Sequence, residues 1–184
     1  MTAVKSWLYF AYGFNINLTR MRQKCPKAKV AGIGRVDGYR LAFYEHSVVW
    51  DSAMETIVPD PESAVWGVVY ELNEFEWEDL DGYEDARMDG TGAYFHYPVE
   101  VAVDGQAVRK ANVYLKARWG EDGLPSDEYL AVIINGAREQ GLPEDYIRRL
   151  EQQASRPAAY PVPKRPGGGG KYLFSGDCSG CDAG

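Results

Sequence analysis

The chain has 184 residues, 45% of them hydrophobic and 26% charged, with a formal net charge of −7. This is the composition of one ordinary domain large enough to bury a core, which excludes a collagen-like or wholly disordered chain. No apolar run approaches the roughly 20 residues of a membrane span, and an acidic protein repels phosphate backbones, so neither a membrane nor nucleic acid is expected as partner.

The first predicted element is a buried strand over Trp7–Tyr12, ended by Gly13. Leu18–Lys24 reads as one or two helical turns with Asn17 as N-cap. Tyr39–Tyr44 and Val65–Leu72 read as strands, being rich in aromatic and branched residues. Glu74–Leu80 reads as a short acidic helix. Tyr94–Val103 and Val108–Ala117 flank Asp104-Gly105, whose tolerance of positive φ marks a hairpin turn. Ser126 is placed to cap a helix running to about Gln140, with Ala131, Ile134 and Ala137 on its inner face and Gly141 as its stop. Pro143 opens a last helix to Gln152, with Tyr146, Ile147 and Leu150 inward. Strands fill the middle and helices the end, without βαβ alternation, so the class is α+β. Spacing alone leaves open whether the strands close into a barrel.

The prolines at 157, 161, 163 and 166 and the run Gly167–Gly170 cannot sustain a helix or a central strand. The predicted division is a working domain over 1–153 and a tail over 154–184, first extended and then flexible.

Two segments invite a chemical reading. In Tyr9-Phe10-Ala11-Tyr12-Gly13-Phe14-Asn15 a buried strand ends in residues tolerant of unusual backbone angles. Such a turn either aims successive N–H groups at an anion or is a plain strand end. Leu80-Asp81-Gly82-Tyr83-Glu84-Asp85 sits in an acidic run with Glu74, Glu76, Glu78, Asp79 and Asp89. Such a run is a solvated face, unless one carboxylate is held among aromatics and works as a general base. Thirteen tyrosines suit the wall of a polar small-molecule pocket.

The order of these pieces carries more than any one of them. Tyr9–Asn15, Gly38–Phe43, Val65–Tyr70, Leu80-Asp81 with Glu84, Tyr94, Tyr114-Leu115, Ser126 with Tyr129, and Gly136–Glu139 with Leu142-Pro143 and Tyr146-Ile147 follow one another over roughly residues 7–150. In this the chain resembles the γ-glutamylcyclotransferase family. The resemblance implies a small mixed β-barrel with flanking helices and an enzyme that needs neither metal nor cofactor. Its substrate would be a γ-glutamyl small molecule, free or carrier-bound. The substrate's own α-amine attacks its γ-carbonyl and releases 5-oxoproline and a free amine. By match to the Leu-Asp-x-x-Glu motif, Glu84 would be the general acid/base. The loop Tyr12, Gly13, Phe14, Asn15, Ile16 and Asn17 would hold the α-carboxylate or the developing oxyanion with backbone donors. Tyr94, Tyr114 and Tyr129 would supply walls or hydroxyl contacts, and Trp50 and Asp51 would border the cleft.

Two departures stand out. Phe14 occupies a position where family members usually carry Ser, and Asp85 follows Glu84 where Gly is common. If position 85 needs positive φ, Asp is among the tolerable replacements. The segment from Glu84 to Tyr94 is also a few residues longer than in close relatives. These features motivate two other readings: a γ-glutamyl or 5-oxoproline-binding module without turnover, and a biosynthetic enzyme that removes a γ-glutamyl group. The pair Cys178 and Cys181 lacks the two further ligands that zinc needs, and His46 and His96 are distant in sequence and read as structural or surface residues. Three cysteines and no secretory pattern point to a cytoplasmic protein, monomeric or homodimeric.

Overall fold

The computed structural model describes residues 6–105 and 107–164. Its five strands are β1 (Ser6–Ala11), β2 (Lys29–Ser47), β3 (Ser52–Asn73), β4 (Tyr94–Val103) and β5 (Ala107–Lys116). They close into a barrel in the order β1-β3-β2-β4-β5. β1 runs antiparallel to β3 from Ser6↔Asn73 to Ala11↔Val68. Closure comes from a parallel pairing of β1 with β5 at Tyr9↔Asn112. Four helices flank it: α1 (Leu18–Lys24), α2 (Glu74–Glu84), α3 (Asp127–Glu139) and α4 (Glu144–Glu151). The expected α+β barrel is therefore what the chain forms.

The β4–β5 hairpin turns where expected, with Asp104 at φ 49 and Gly105 at φ 68. β2 and β3 are much longer than the strands read from sequence. Register shifts between Val30 and Gly32, Asp37 and Tyr39, and Tyr44 and Ser47 break the two-residue alternation that sequence reading relies on. Pro59 and Pro61 inside β3 obscured it further.

Phe10, Val68, Val69, Tyr70, Leu72 and Val101 are fully buried. Leu80 of α2 and Ile133 and Ala137 of α3 join the same core. The inner face of α3 differs from expectation. Tyr129, Leu130, Ile133, Gly136 and Ala137 are buried, whereas Ala131 is exposed and Ile134 half-buried. The helix is rotated toward Gly136 because that residue meets the chain after the first strand: a Cβ there would lie 2.6 Å from the Asn17 nitrogen. The inward set of α4, Tyr146, Ile147 and Leu150, is as expected.

Residues after α4 return to the body. Arg156 exchanges backbone hydrogen bonds with Pro125 and Asp127, and its guanidinium grips the buried Asp51 carboxylate at 3.0 and 3.1 Å. The Ala159 N–H donates to the same carboxylate at 2.7 Å. Cys178, Cys181 and the Gly167–Gly170 run lie outside the described residues.

Candidate active site

Glu84 owes its position to how α2 starts and stops. Asn73 and Glu76 form a capping box: Asn73 Oδ1 accepts from the N–H groups of Phe75 (3.0 Å) and Glu76 (3.1 Å), and Glu76 Oε2 accepts from the Asn73 N–H. Leu80 anchors the helix in the core, a burial worth about 1.5–3 kcal/mol. Glu84 lies one turn further along the same face. The sequence reading ended this helix at Leu80 and put Glu84 beyond it. Instead Glu84 is the last helical residue, and Asp85 ends the helix in the left-handed region at φ 47, ψ 46. That is the positive φ for which Asp was a tolerable replacement. The Asp85 carboxylate accepts from Arg87 Nε and from the Ala93 N–H, both at 3.1 Å. The acidic run thus divides by role: Glu74, Glu78, Asp79 and Asp89 are solvated, Glu76 caps, and Glu84 enters a polar cluster.

That cluster is built around Asn15. Its Nδ2 donates to Glu84 Oε1 at 3.0 Å and to the Tyr9 hydroxyl at 2.9 Å. Its Oδ1 accepts from Lys24 Nζ at 2.9 Å, so every polar group of the amide is engaged. Lys24 also donates to Glu84 Oε1 at 2.6 Å, with the two side chains 8% and 16% exposed. Both bonds to Glu84 fall on Oε1; Oε2 accepts neither. The Asn15 backbone is fixed as well, its carbonyl accepting from the Tyr70 hydroxyl at 3.1 Å.

Behind the loop lies a second carboxylate. Glu55 on β3 accepts the Phe14 N–H at 2.7 Å through Oε1 and the Tyr129 hydroxyl through Oε2. Burial pushes the Glu55 carboxyl above the usual carboxylate range, against the lowering effect of those two bonds. Gly13 is the residue that lets this carboxylate approach, since a Cβ there would lie 2.3 Å from Glu55 Cγ. Phe14 to Ile16 form a 3₁₀ turn, in which Ile16 N–H donates to Gly13 and Asn17 N–H to Phe14. Three N–H groups of the expected anion nest are therefore satisfied inside the protein. Ile16 is in the core, and Asn17 caps α1 by accepting from the Arg20 N–H at 3.0 Å.

The tyrosines expected at the site surround this cluster. Phe14 stacks on Tyr129 with ring centroids 5.2 Å apart and meets the edge of Trp50 at 5.3 Å. The Tyr94 hydroxyl donates to the Glu55 carbonyl at 3.0 Å, and the Tyr12 hydroxyl to the Tyr114 carbonyl. The Tyr114 hydroxyl donates to Asp81 Oδ1 at 2.6 Å, where His96 Nε2 also lies at 2.6 Å. Burial raises the phenol pKa of Tyr9, Tyr12, Tyr94, Tyr114 and Tyr129, which keeps these hydroxyls as neutral donors.

The sequence reading named neither Lys24 nor Glu55 for the site; it quoted Tyr9 and Asp81 within its motifs without giving them a role there, and it read His96 as structural or surface, a reading that the contact with Asp81 fits. Lys24 looked like an ordinary basic residue in the last turn of a helix. Glu55 did carry a signal, an acid two residues from each of the buried Ala53 and Ile57 on one strand. Together the groups make a half-buried carboxylate with one oxygen restrained and the other unshared, among neutral hydroxyls and beside one ammonium. Such a carboxylate can accept a proton and return it.

The chain is similar to known proteins in sequence and fold. A profile of the AIG2-like family matches residues 64–150. The gamma-glutamylcyclotransferase of Homo sapiens is 32% identical over 151 residues, covering 80% of this chain and 78% of the human protein. That of Bos taurus is 32% identical over 152 residues, covering 79% and 78%. A solved structure of a gamma-glutamyl cyclotransferase superposes with a TM-score of 0.79 at 30% identity, covering 86% of this chain and 94% of its own. With its barrel, ordered motifs and near-full-length likeness to these enzymes, the chain belongs to the gamma-glutamylcyclotransferase family.

Proposed function

We propose that this protein is a γ-glutamylcyclotransferase in which Glu84 is the general acid/base. The observation that carries the reading is the setting of Glu84, a motif carboxylate half-buried at the junction of α2 and the first loop, with Asn15 fixing one oxygen. Glu84 removes a proton from the substrate α-ammonium. The freed amine attacks the γ-carbonyl carbon, forming a C–N bond and closing a five-membered ring. The tetrahedral intermediate then collapses: the bond to the leaving amine breaks, Glu84 returns the proton to that nitrogen, and the regenerated carboxylate takes the second proton from the ring nitrogen and passes it to the departing amine, which leaves protonated. The products are 5-oxoproline and a free amine. The attack is intramolecular, so the protein's main task is to hold the chain folded on itself, the arrangement in which effective molarities are highest.

The loop Tyr12–Asn17 and the walls formed by Tyr94, Tyr114 and Tyr129 are the proposed substrate contacts. The substrate half they would recognise is the γ-glutamyl group, on an amine, an amino acid or a carrier. All of these residues fall within the 1–153 domain. Among the described residues no helix is long and apolar enough to cross a membrane; the cytoplasmic setting and the monomeric or homodimeric state are likewise proposals. The test is to incubate the purified protein with a panel of γ-glutamyl amines, γ-glutamyl amino acids and carrier-bound γ-glutamyl amides and to quantify 5-oxoproline. Stoichiometric 5-oxoproline and amine from any member is the expected result; a folded protein that releases none from the whole panel would refute the reading.

A further inference from the structure

Lys24 takes no part in the chemistry described above, yet its amine is buried in the site. Nζ lies 2.6 Å from Glu84 Oε1, 2.9 Å from Asn15 Oδ1 and 5.4 Å from the centroid of the Phe14 ring. A buried ion pair is poor evidence of stabilisation, because removing two charges from water offsets most of their attraction. This one also touches the general base directly, where it shares the oxygen that Asn15 holds.

The substrate explains such a pair. A γ-glutamyl group carries an ammonium and a carboxylate on the same carbon, so its site needs an anion and a cation side by side. Glu84 supplies the anion. Three of the loop's N–H groups, those of Phe14, Ile16 and Asn17, already donate to Glu55, Gly13 and Phe14, so fewer backbone donors are left for the positive end. Lys24 is a buried cation, and it is already next to Glu84.

We infer that Lys24 binds the substrate α-carboxylate, and that the Lys24–Glu84 pair is the charge complement of the zwitterionic head group. On binding, the substrate ammonium takes the place of Lys24 at Glu84, and the substrate carboxylate takes the place of Glu84 at Lys24. Two ion pairs replace one pair and a solvated zwitterion, and the buried net charge is unchanged. The flexible lysine stem lets the amine move from one carboxylate to the other, and the Phe14 ring, 5.4 Å away, lies within cation–π range of it. The same exchange uncovers Glu84 only when a carboxylate is present to receive Lys24. γ-Glutamyl compounds with a free α-carboxylate are therefore preferred, and 4-aminobutanoyl compounds, which have the amine and carbonyl but no carboxylate, are discriminated against. This inference rests on the γ-glutamyl reading of the site.

The experiment compares the γ-glutamyl and 4-aminobutanoyl amides of one amine as substrates for wild type, Lys24→Met and Lys24→Arg, reading kcat/KM for lactam formation. The ratio of the two values cancels any loss of folded enzyme. Wild type should favour the γ-glutamyl amide by about 10- to 100-fold, the worth of a charge-assisted hydrogen bond. In Lys24→Met the preference should collapse toward unity, and Lys24→Arg should restore part of it. Calorimetry gives a readout without turnover: Lys24→Met should weaken 5-oxoproline binding and leave 2-pyrrolidone binding unchanged. A Lys24→Met variant that loses rate equally on both substrates, as a merely structural lysine would cause, overturns the inference, as does unchanged 5-oxoproline affinity. Wild type that forms no lactam from either amide defeats the γ-glutamyl reading itself, a failure seen before any variant is made.

Discussion

The Asn15 side chain bonds Glu84 Oε1 at 3.0 Å across 69 positions of sequence, and the same amide holds Tyr9 and Lys24. It therefore fixes where the carboxylate points. Asn15→Leu keeps the volume and removes the donor. A hydrogen bond to a charged group is worth about 1.5–3 kcal/mol, so kcat/KM for 5-oxoproline formation should fall about 10- to 100-fold with an unchanged circular dichroism spectrum. Full activity in a folded Asn15→Leu protein would show that Glu84 needs no such restraint.

Glu55 yields a prediction about pH. Its folded pKa is raised by burial, so the folded state keeps a proton that the unfolded chain gives up. The associated stability is fully present below the ordinary Glu range and is lost as pH rises through the folded value. Glu55→Gln retains an acceptor for the Phe14 N–H and can donate to the Tyr129 oxygen, but it does not titrate. Relative to wild type, its melting temperature should therefore gain steadily as pH is raised from the Glu range toward neutrality. A difference constant with pH would contradict this assignment.

Asp85 separates two contributions at the end of α2. Gly adopts its left-handed φ without strain, whereas Ala does not. Both lose the bonds to Ala93 and Arg87. Asp85→Ala should destabilise by about 1–2 kcal/mol, and Asp85→Gly by clearly less, measured by urea unfolding. Equal losses would mean that the side-chain bonds, not the backbone angle, select Asp here.

The Arg156–Asp51 contact ties the chain beyond α4 to the turn between β2 and β3. The Arg156 guanidinium, the Ala159 N–H and His46 hold Asp51 below the usual carboxylate range. A depressed pKa contributes stability above the ordinary Asp range that is lost as pH falls. Arg156→Ala should lower the melting temperature at neutral pH, and the deficit should shrink on acidification. A deficit that stays constant into acid would assign the effect to lost packing.

Much of this was legible in the sequence because it is local. Asp104-Gly105 states its own turn, Ser126 its own cap, and Tyr146, Ile147 and Leu150 repeat at helical spacing. The Leu80–Glu84 motif singled out the carboxylate proposed as general acid/base, although the helix end was misread because Asp85, not Gly, makes the left-handed cap. What stayed hidden depends on closure of the barrel. Lys24 meets Glu84 from 60 positions away, and Tyr129 meets Glu55 from 74. No local periodicity encodes those distances. The length of β2 and β3 was hidden by register shifts, which break the two-residue alternation of the inward face wherever they occur.

The central claim is that Glu84 moves the proton, and its most direct test is the rate of 5-oxoproline release by Glu84→Gln on the best γ-glutamyl substrate. Gln preserves size and the hydrogen bond from Asn15 but cannot accept and return a proton. The variant should fold, should still bind 5-oxoproline, and should lose about 10²- to 10⁴-fold in kcat, the usual contribution of general acid–base catalysis. A Glu84→Gln protein that releases 5-oxoproline at the wild-type rate would contradict the account.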